Sequence, residues 1–205
     1  MSRILLIFSL FITCACASFS DKNTEKAELY LKMGASQIEN GNFPAALTSL
    51  LKAEELDKSN PVIQNTLGIV YFSRQRNDTA EKHFRKALSL SPTYSEARNN
   101  LARVLVQEAR YQEAEKEIRV VLDDLTYSAI DKAYINLGMS QFNQKKYADS
   151  KESFLRALNI SRDNCLANSY YGRSFFELRD YERAAGAHGR PSGVGNGVGA
   201  SRRSR

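Results

Sequence analysis

The sequence contains little of what catalytic and metal sites are usually built from. Its 205 residues include two histidines, three cysteines and no tryptophan. His83 stands alone in the middle of the chain, and His188 stands near its end. No set of cysteines and histidines has the spacing of a zinc site, and no Ser/His/Asp set suggests nucleophilic catalysis. We therefore expect a protein that is not an enzyme and that uses no cofactor or metal.

Cysteine is too scarce and too unevenly placed to build a disulfide framework. Cys14 and Cys16 lie within the first twenty residues, which leaves Cys165 alone in the rest of the chain. A single cysteine cannot form an intramolecular bridge. We interpret Cys165 as a small packing residue at the start of a predicted helix.

Excess positive charge is absent from the middle of the chain, although the whole sequence carries a net charge of +6. Five of the 29 lysines and arginines lie near the ends, at Arg3, Arg190, Arg202, Arg203 and Arg205. The other 24 almost balance the 23 acidic residues. A nucleic-acid-binding protein clusters its basic residues on a folded face. We therefore expect no nucleic-acid partner.

One long apolar run stands at the N-terminus. Arg3 precedes the almost uninterrupted apolar residues 4–12, and small residues follow over 13–18. This arrangement predicts a signal peptide or lipoprotein signal over residues 1–17, too short to span a bilayer stably.

Two ways of processing this signal fit its sequence. Ala15-Cys16-Ala17 matches the small-x-small rule for cleavage before Ser18. Alternatively, Cys16 becomes the first residue of a lipoprotein and carries a lipid. The lipoprotein interpretation is favoured because a polar segment follows, predicted as a tether over residues 18–26. Ala17 after Cys16 then predicts an outer-membrane anchor, with the protein facing the periplasm of a Gram-negative cell.

Small residues recur at a nearly fixed interval through the rest of the chain. Gly34, Gly68, Ala102, Gly138 and Gly172 follow one another at about 34 residues, and only the step from Ala102 to Gly138 is two longer. They stand at position 8 of repeats that begin at Ala27, Pro61, Ser95, Asp131 and Cys165. Other small residues recur in the same way at positions 20 and 27. A constant period of this length indicates a stacked array of helix pairs.

The second repeat has the most complete pattern, with Leu67, Gly68, Tyr71, Ala80, Phe84, Ala87 and Pro92 at positions 7, 8, 11, 20, 24, 27 and 32. These residues resemble the tetratricopeptide repeat, a helix–turn–helix unit of about 34 residues. The resemblance covers residues 27–187 and implies an all-α, superhelical array of antiparallel helix pairs. The implied repeats are 27–60, 61–94, 95–130, 131–164 and an incomplete 165–187. His83, at position 23, is expected on a solvated face.

Two places depart from the period. Two extra residues lie between Val121 and Asp131, in a turn that we expect to change the stacking of the second half. The fifth repeat stops after Ala187, since Pro191 would break a helix. Residues 188–205 are rich in glycine and arginine and are predicted to be disordered. This tail is either native or the product of a shifted reading frame.

In the tetratricopeptide fold, the first helix of each repeat (helix A) lines the inner wall with its positions 2, 5, 9, 12 and 13. From these positions we predict a partner-binding groove, formed by Leu31, Asn65, Ile69, Phe72, Asn99, Arg103, Met139, Phe142, Arg173 and Phe176. Positions 5 and 9 are expected to face the groove, whereas position 12 fits groove and core equally. Arg103 and Arg173 either pair with carboxylates of a protein partner or only solvate the wall. An apolar strip with polar rims suits an amphipathic or extended segment of another protein.

The signal and the array together resemble the pilotin-type lipoproteins of type IV pilus systems. The likeness rests on Arg110-Tyr111-Gln112-Glu113-Ala114, on Leu125-Thr126-Tyr127 and on Asn136-Leu137-Gly138. It implies a scaffold or chaperone that binds the outer-membrane secretin and assists its assembly while the lipid holds it on the membrane. Family members usually have a sixth repeat and a proline in the inserted turn, and neither occurs in this sequence. The alternative is a periplasmic adaptor that organises cell-wall enzymes or proteases.

Overall fold

The computed structural model of the protein describes residues 22–188. The regular structure in that range is entirely α-helical and consists of ten helices separated by short turns. They are α1 (22–39), α2 (Phe43–Leu56), α3 (Pro61–Ser73), α4 (Asn77–Leu90), α5 (Ser95–Gln107), α6 (Tyr111–Leu122), α7 (Ile130–Asn143), α8 (Tyr147–Ile160), α9 (Cys165–Glu177) and α10 (Tyr181–His188). The prediction of an all-α fold built from helix pairs is confirmed.

Some predicted regions lie partly or wholly outside the described residues. They are the signal with Cys16, the beginning of the tether and the tail beyond His188. The tether is predicted over residues 18–26, but α1 already covers residues 22–26. Lysine, glutamate and alanine favour helix, so this polar segment continues the first helix toward the N-terminus instead of forming an extended linker there.

Proline and asparagine fix several helix starts. Pro44 and Pro61 lie in the first turns of α2 and α3, where a missing backbone N–H costs no helical hydrogen bond. Oδ1 of Asn60 accepts hydrogen bonds from the first two free backbone N–H groups of α3 at 2.9 and 3.3 Å. Asn164 caps α9 through a similar bond of 3.0 Å. The sequence therefore specifies where these helices begin.

The turn inside each repeat has one backbone shape that recurs five times. Position 15 is left-handed, with φ between 58° and 72°, at Gly41, Gln75, Ala109, Lys145 and Arg179. Its N–H and the next N–H donate to carbonyls three and five residues earlier, over 2.8–3.2 Å. This is the hydrogen-bond pattern of a Schellman C-cap, which usually contains glycine. Four of the five repeats form it with a side chain present.

The glycine at position 8 makes room for a large side chain of the second helix of its repeat (helix B). A Cβ atom added to Gly68 would lie 2.5 Å from Cε1 of Phe84. One added to Gly138 would lie 2.9 Å from Cε2 of Phe154. Both phenylalanine rings are almost completely buried. Positions 8 and 24 therefore form the contact that holds the two helices of a repeat together.

The chain divides into two compact parts, residues up to Ala129 and residues from Ile130 onward. In the first part, α1–α6 pack as consecutive neighbours, and α5 also contacts α3. In the second part, α7–α10 pack in the same way, and α9 also contacts α7. Buried alanines at positions 20 and 27 line these contacts, at Ala46, Ala53, Ala80, Ala87, Ala114 and Ala157.

The carboxylate of Asp124 accepts hydrogen bonds that hold the turn with the two extra residues in place. Its Oδ1 accepts hydrogen bonds from the backbone N–H and the hydroxyl of Thr126, at 2.9 and 2.6 Å. Its Oδ2 accepts a hydrogen bond of 2.5 Å from the hydroxyl of Ser95. The bonds from Ser95 and Thr126 lower the pKa of the Asp124 carboxyl. The turn leaves Leu125 98% exposed at its tip. The effect of the insertion on stacking stays a prediction.

Candidate partner-binding surfaces

The residues predicted to line a groove fall into two sets, one in each compact part. Helices α1, α3 and α5 carry Leu31, Asn65, Ile69, Phe72, Asn99 and Arg103, which we call the N-terminal surface. Helices α7 and α9 carry Met139, Phe142, Arg173 and Phe176, which we call the C-terminal surface.

A cation covers an aromatic ring in the N-terminal surface. The guanidinium carbon of Arg103, in α5, lies 4.2 Å from the centroid of the Phe72 ring, in α3. This distance lies within the range of a cation–π interaction. Arg103 is exposed and Phe72 is half-buried. Contact with the protein removes part of the water around the guanidinium, which lowers the pKa of Arg103 although the residue as a whole is exposed, and the group remains charged at neutral pH.

The C-terminal surface repeats this arrangement. The guanidinium carbon of Arg173, in α9, lies 4.9 Å from the ring centroid of Phe142 and 4.8 Å from that of Tyr170. The rings of Phe142 and Tyr170 meet edge to face, with centroids 5.1 Å apart. Arg173 is exposed, so it presents a positive charge beside this aromatic cluster.

The two cation–aromatic pairs follow one rule of spacing. In each pair a phenylalanine at position 12 of one repeat meets an arginine at position 9 of the next repeat. The sequence prediction treated the four residues separately and missed that they pair. Comparing position 12 of each repeat with position 9 of the following repeat would have found this signal.

Position 5 is buried at two of the predicted groove residues. Asn65 is 2% exposed and Asn99 is 4% exposed. Oδ1 of Asn65 accepts a hydrogen bond of 3.0 Å from Asn100, and its Nδ2 donates one of 3.3 Å to the Tyr94 hydroxyl. The expectation that these two residues face a groove is wrong. Polar groups between packed helices need hydrogen-bond partners inside the protein, and Asn65 finds them in the next repeat and in the turn before it.

The remaining predicted residues differ in exposure. Leu31 and Met139 are half-buried and pack against the cores of their own parts, and Ile69 is half-buried. Position 12 does not behave uniformly, since Phe142 is 9% exposed while Phe176 is 60% exposed. What covers the side chain decides between core and surface at this position.

His83 does not lie on a solvated face, which corrects the sequence prediction. It is half-buried and stacks on the ring of Tyr71, with centroids 5.1 Å apart. Its Nδ1 lies 2.9 Å from Oε1 of Gln64. The side-chain nitrogen of Gln64 donates to Glu54 at 2.9 Å, so its oxygen is the acceptor and Nδ1 of His83 carries the proton. Burial lowers the pKa of His83, and nearby Glu54 only partly opposes this.

Four charged side chains form a closed ring between α4 and α6. Arg85 contacts Glu81 at 2.8 Å and Glu113 at 2.5 Å. Arg110 contacts the same two carboxylates at 2.8 and 2.6 Å. Arg110 and Glu113 belong to the motif on which the family likeness rests. In this structure they join helix B of one repeat to helix B of the next.

The described part of the chain offers few other sites. Within residues 22–188, no three histidine, cysteine, aspartate or glutamate side chains converge as metal ligands would. No helix in this range combines the length and the apolar character needed to cross a membrane.

Comparison with known families matches the repeats directly. Three tetratricopeptide-repeat models match residues 31–95, 71–129 and 131–164. The chain is a tetratricopeptide-repeat protein. The family resemblance predicted from the sequence is thereby confirmed.

Two proteins of type IV pilus systems are similar to this tetratricopeptide-repeat protein. It is 27% identical over 170 residues to the type IV pilus assembly protein PilF of Pseudomonas aeruginosa, a match that covers 78% of this chain and 68% of PilF. The solved structure of P. aeruginosa PilF has a TM-score of 0.74 at 25% identity, covering 82% of this chain and 75% of that one. PilW, a widely conserved type IV pilus biogenesis factor, has a TM-score of 0.74 at 21% identity over 79% and 76% of the two chains, which shows the shared fold. A relation of this kind is consistent with a protein-binding scaffold.

Proposed function

We propose that the protein is a non-enzymatic scaffold or chaperone that assists assembly of a type IV pilus secretin. The observation that carries the proposal is the match to PilF, which extends over 78% of the chain. In the proposed function a lipid on Cys16 anchors the protein to the outer membrane of a Gram-negative cell. The repeats then face the periplasm and bind the secretin subunit.

The pairs of Phe72 with Arg103 and of Phe142 with Arg173 are the proposed contact points. A stacked guanidinium has its ring-facing side desolvated and keeps N–H donors at the edge of its plane. Such a group binds a carboxylate while the neighbouring apolar surface takes an aliphatic or aromatic side chain. The partner segment that fits is therefore acidic and amphipathic.

Co-production of the protein with the secretin subunit from the same genome tests this function. The host is a Gram-negative strain without a type IV pilus system. We expect secretin rings in the outer-membrane fraction with the wild-type protein and few rings without it. The measurement is native gel electrophoresis of membranes separated on a density gradient.

Matched arginine variants test the two surfaces. Arg103→Ala and Arg173→Ala each remove a charge-assisted contact, so we expect each variant to bind the partner about three- to thirtyfold more weakly. Fewer secretin rings should therefore assemble with either variant. Arg119→Ala and Arg162→Ala are the controls, because these arginines are exposed but lie outside both surfaces. Equal ring assembly with all four variants would show that the partner binds elsewhere.

The same experiment distinguishes the alternative function. A periplasmic adaptor for cell-wall enzymes or proteases would leave secretin assembly unchanged when it is removed. Unchanged assembly in the presence of a stable, exported protein would therefore reject the secretin proposal in favour of the adaptor.

A further inference from the structure

One helix of the N-terminal surface exposes a single line of side chains. Within α5, Glu96, Arg103 and Gln107 are exposed, Arg98 and Asn100 are half-buried, and the rest of the helix is buried. Arg103 and Gln107 follow Glu96 by seven and eleven residues. Residues at these spacings lie on one face of an α-helix, about two and three turns apart. A partner that packs along α5 therefore meets these three side chains.

Two side chains of this line carry opposite charges. Glu96 lies in the first turn of α5, and Arg103 lies two turns later. A rise of about 1.5 Å per residue puts their Cα atoms about 10 Å apart. A carboxylate in the first turn is favourable for the helix itself. It is also exposed, so it is accessible to a cation of a partner.

An apolar row on α3 lies beside the charged line. Val62 is 42% exposed, and Ile69 and Phe72, seven and ten residues later, are half-buried. Side-chain contacts join the two rows along their length, of Arg103 with Phe72 at 4.2 Å, of Asn100 with Asn65 at 3.0 Å and of Gln107 with Gln75 at 3.1 Å. The surface therefore offers apolar side chains along one helix and two opposite charges along the next.

The C-terminal surface has an equivalent arginine without the acidic residue. Arg173 follows Leu166 by seven residues, as Arg103 follows Glu96. Leu166 is 46% exposed. The place of Glu96 is therefore apolar on α9. Because charges across an interface select partners by complementarity, the two surfaces are suited to different segments.

We propose that Glu96 determines which segment binds the N-terminal surface, namely an amphipathic helix with a basic residue two turns away from an acidic one. The acidic residue pairs with Arg103, the basic residue pairs with Glu96, and apolar residues between them cover Ile69 and Phe72. A helix fits because its residues i and i+7 lie about 10 Å apart on one face. Side chains on one face of an extended segment lie about 7 or 13 Å apart instead. This inference rests on the proposed function as a protein-binding scaffold, and it adds a basic residue to the acidic, amphipathic segment proposed above.

Fluorescent helical peptides test the charge pattern. The first probe is a stapled, alanine-based helix with Lys, Leu, Leu and Glu at positions i, i+3, i+4 and i+7, and the second probe has Glu in place of Lys. Both are titrated by fluorescence anisotropy against the full chain with Arg173→Ala, so that the C-terminal surface does not contribute. We expect this protein to bind the first probe about three- to tenfold more tightly, because the second brings a carboxylate to Glu96. Adding Glu96→Lys should reverse the preference, and Glu96→Gln should remove it.

Glu55→Lys is the matched control, because it makes the same change of charge at an exposed residue of α2 outside the N-terminal surface. It should retain the preference, and circular dichroism melts check that every variant is folded. No saturable binding, equal binding of the two probes, or a preference that Glu96→Lys leaves unchanged would overturn the proposal. Equally tight binding of a first probe with prolines between its charges would also overturn it, because prolines prevent a helix there.

The peptide titrations contain no secretin, so this inference and the proposed function fail separately. Failure to discriminate the probes would reject the role of Glu96 even where secretin rings assemble. Discrimination of the probes by a protein that leaves ring assembly unchanged would support the role of Glu96 and reject the secretin as its partner.

Discussion

At the scale of single residues, the size of position 8 is set by the side chain at position 24. Gly34 faces Leu50 in the first repeat, where an added Cβ would lie 2.6 Å from Cγ. Gly68 faces the ring of Phe84, which is 1% exposed and has no free space to move into. A glycine in a helix costs about 1 kcal/mol relative to alanine. The fold accepts this cost because it lets a large buried side chain lie between two helices.

Gly68→Ala is therefore expected to destabilise the protein although alanine favours helix. Overpacking a buried site typically costs about 1–3 kcal/mol, which exceeds the gain of about 1 kcal/mol in helix propensity. Because the added Cβ would lie 2.5 Å from the buried Phe84 ring, we expect a cost in the upper part of this range. Urea unfolding followed by circular dichroism should then show a net loss of about 1–2 kcal/mol. Gly186→Ala is the control, because nothing lies within 4 Å of an added Cβ there. A Gly68→Ala protein as stable as the Gly186→Ala protein would contradict the close contact.

At position 15, where the backbone is left-handed, replacing a side chain by glycine is expected to stabilise the protein. Lys145 has φ 62°, where a side chain costs about 1–2 kcal/mol relative to glycine. Part of this cost is offset by the greater freedom of glycine in the unfolded chain. Lys145→Gly is expected to raise the free energy of unfolding, measured in urea, by about 0.5–1 kcal/mol.

The reverse change in the first repeat is its control. Gly41 has φ 72° and open space around it, so Gly41→Ala adds backbone strain without a steric clash. We expect it to lower the free energy of unfolding by about 1 kcal/mol. Changes of the same sign in the two variants would contradict a shared turn conformation.

At the scale of elements, neighbouring repeats are joined by polar contacts as well as by the core. Glu81, Arg85, Arg110 and Glu113 connect α4 to α6, and their side chains are 18–44% exposed. Hydrogen bonds from Arg85 and Arg110 lower the pKa of Glu113. The ionised Glu113 carboxylate therefore stabilises the fold at neutral pH, and this stabilisation is lost as the pH falls toward and below the ordinary pKa of glutamate.

A double-mutant cycle with Glu81→Gln and Arg110→Gln measures this connection. Because the pairs are partly exposed and form a network, we expect a coupling of about 0.5–1 kcal/mol that decreases in 1 M NaCl. Arg156 and Glu152 form a single ion pair in α8, at 3.2 Å and more than half exposed, and Arg156 also lies over the Tyr134 ring. The same cycle there should give a smaller coupling, because water screens a single exposed ion pair. Equal coupling energies at the two sites would mean that the four-residue network of charges is no stronger than a single ion pair.

His83 makes the contact of α4 with α3 sensitive to pH. Its pKa is lowered in the folded protein, so the unfolded chain binds the proton more readily. The neutral His83 therefore contributes fully to the free energy of unfolding when the pH is above the ordinary histidine pKa of 6.5. This contribution is lost as the pH falls below that pKa. Between pH 7.5 and 5.5 we expect a decrease in Tm of about 1–3 °C.

Two variants separate this effect from other titrations. His83→Phe retains the stacking on Tyr71 and should lose the dependence on pH in this interval, although it leaves Gln64 without its partner and is less stable throughout. His188→Ala removes the other histidine of the chain and should retain the dependence. A pH dependence unchanged by His83→Phe would assign the titration to another group.

At the scale of the whole molecule, the predicted lipid on Cys16 decides where the repeats act. Because a lipid anchor partitions into the membrane whereas cleavage before Ser18 releases the chain, the two alternatives give different fractions. We expect the wild type in the outer-membrane fraction and labelled by radioactive palmitate. Cys16→Ala should be unlabelled, and Cys165→Ala should be labelled like the wild type. Equal labelling of the wild type and Cys16→Ala would end the lipoprotein interpretation.

The sequence by itself determined the repeating part of this protein. The small residue at position 8 and the constant period are periodic signals, so both can be read without knowing how the repeats pack. They predicted an all-α array of helix pairs and the family to which it belongs. The inner-wall positions came from the family resemblance, and their role as a partner-binding groove stays a prediction.

Only the tertiary structure decided how the surfaces are arranged. Arg103 lies on Phe72 and Asn65 is buried because of the helix that packs beside each of them, and that helix comes from the next repeat. His83 of α4 contacts Gln64 of α3, which in turn contacts Glu54 of α2, so its surroundings also depend on neighbouring helices. Phe142 and Phe176 have the same place in the repeat, yet only the first is covered. Burial depends on contacts between residues of neighbouring repeats, which a pattern within one repeat does not contain.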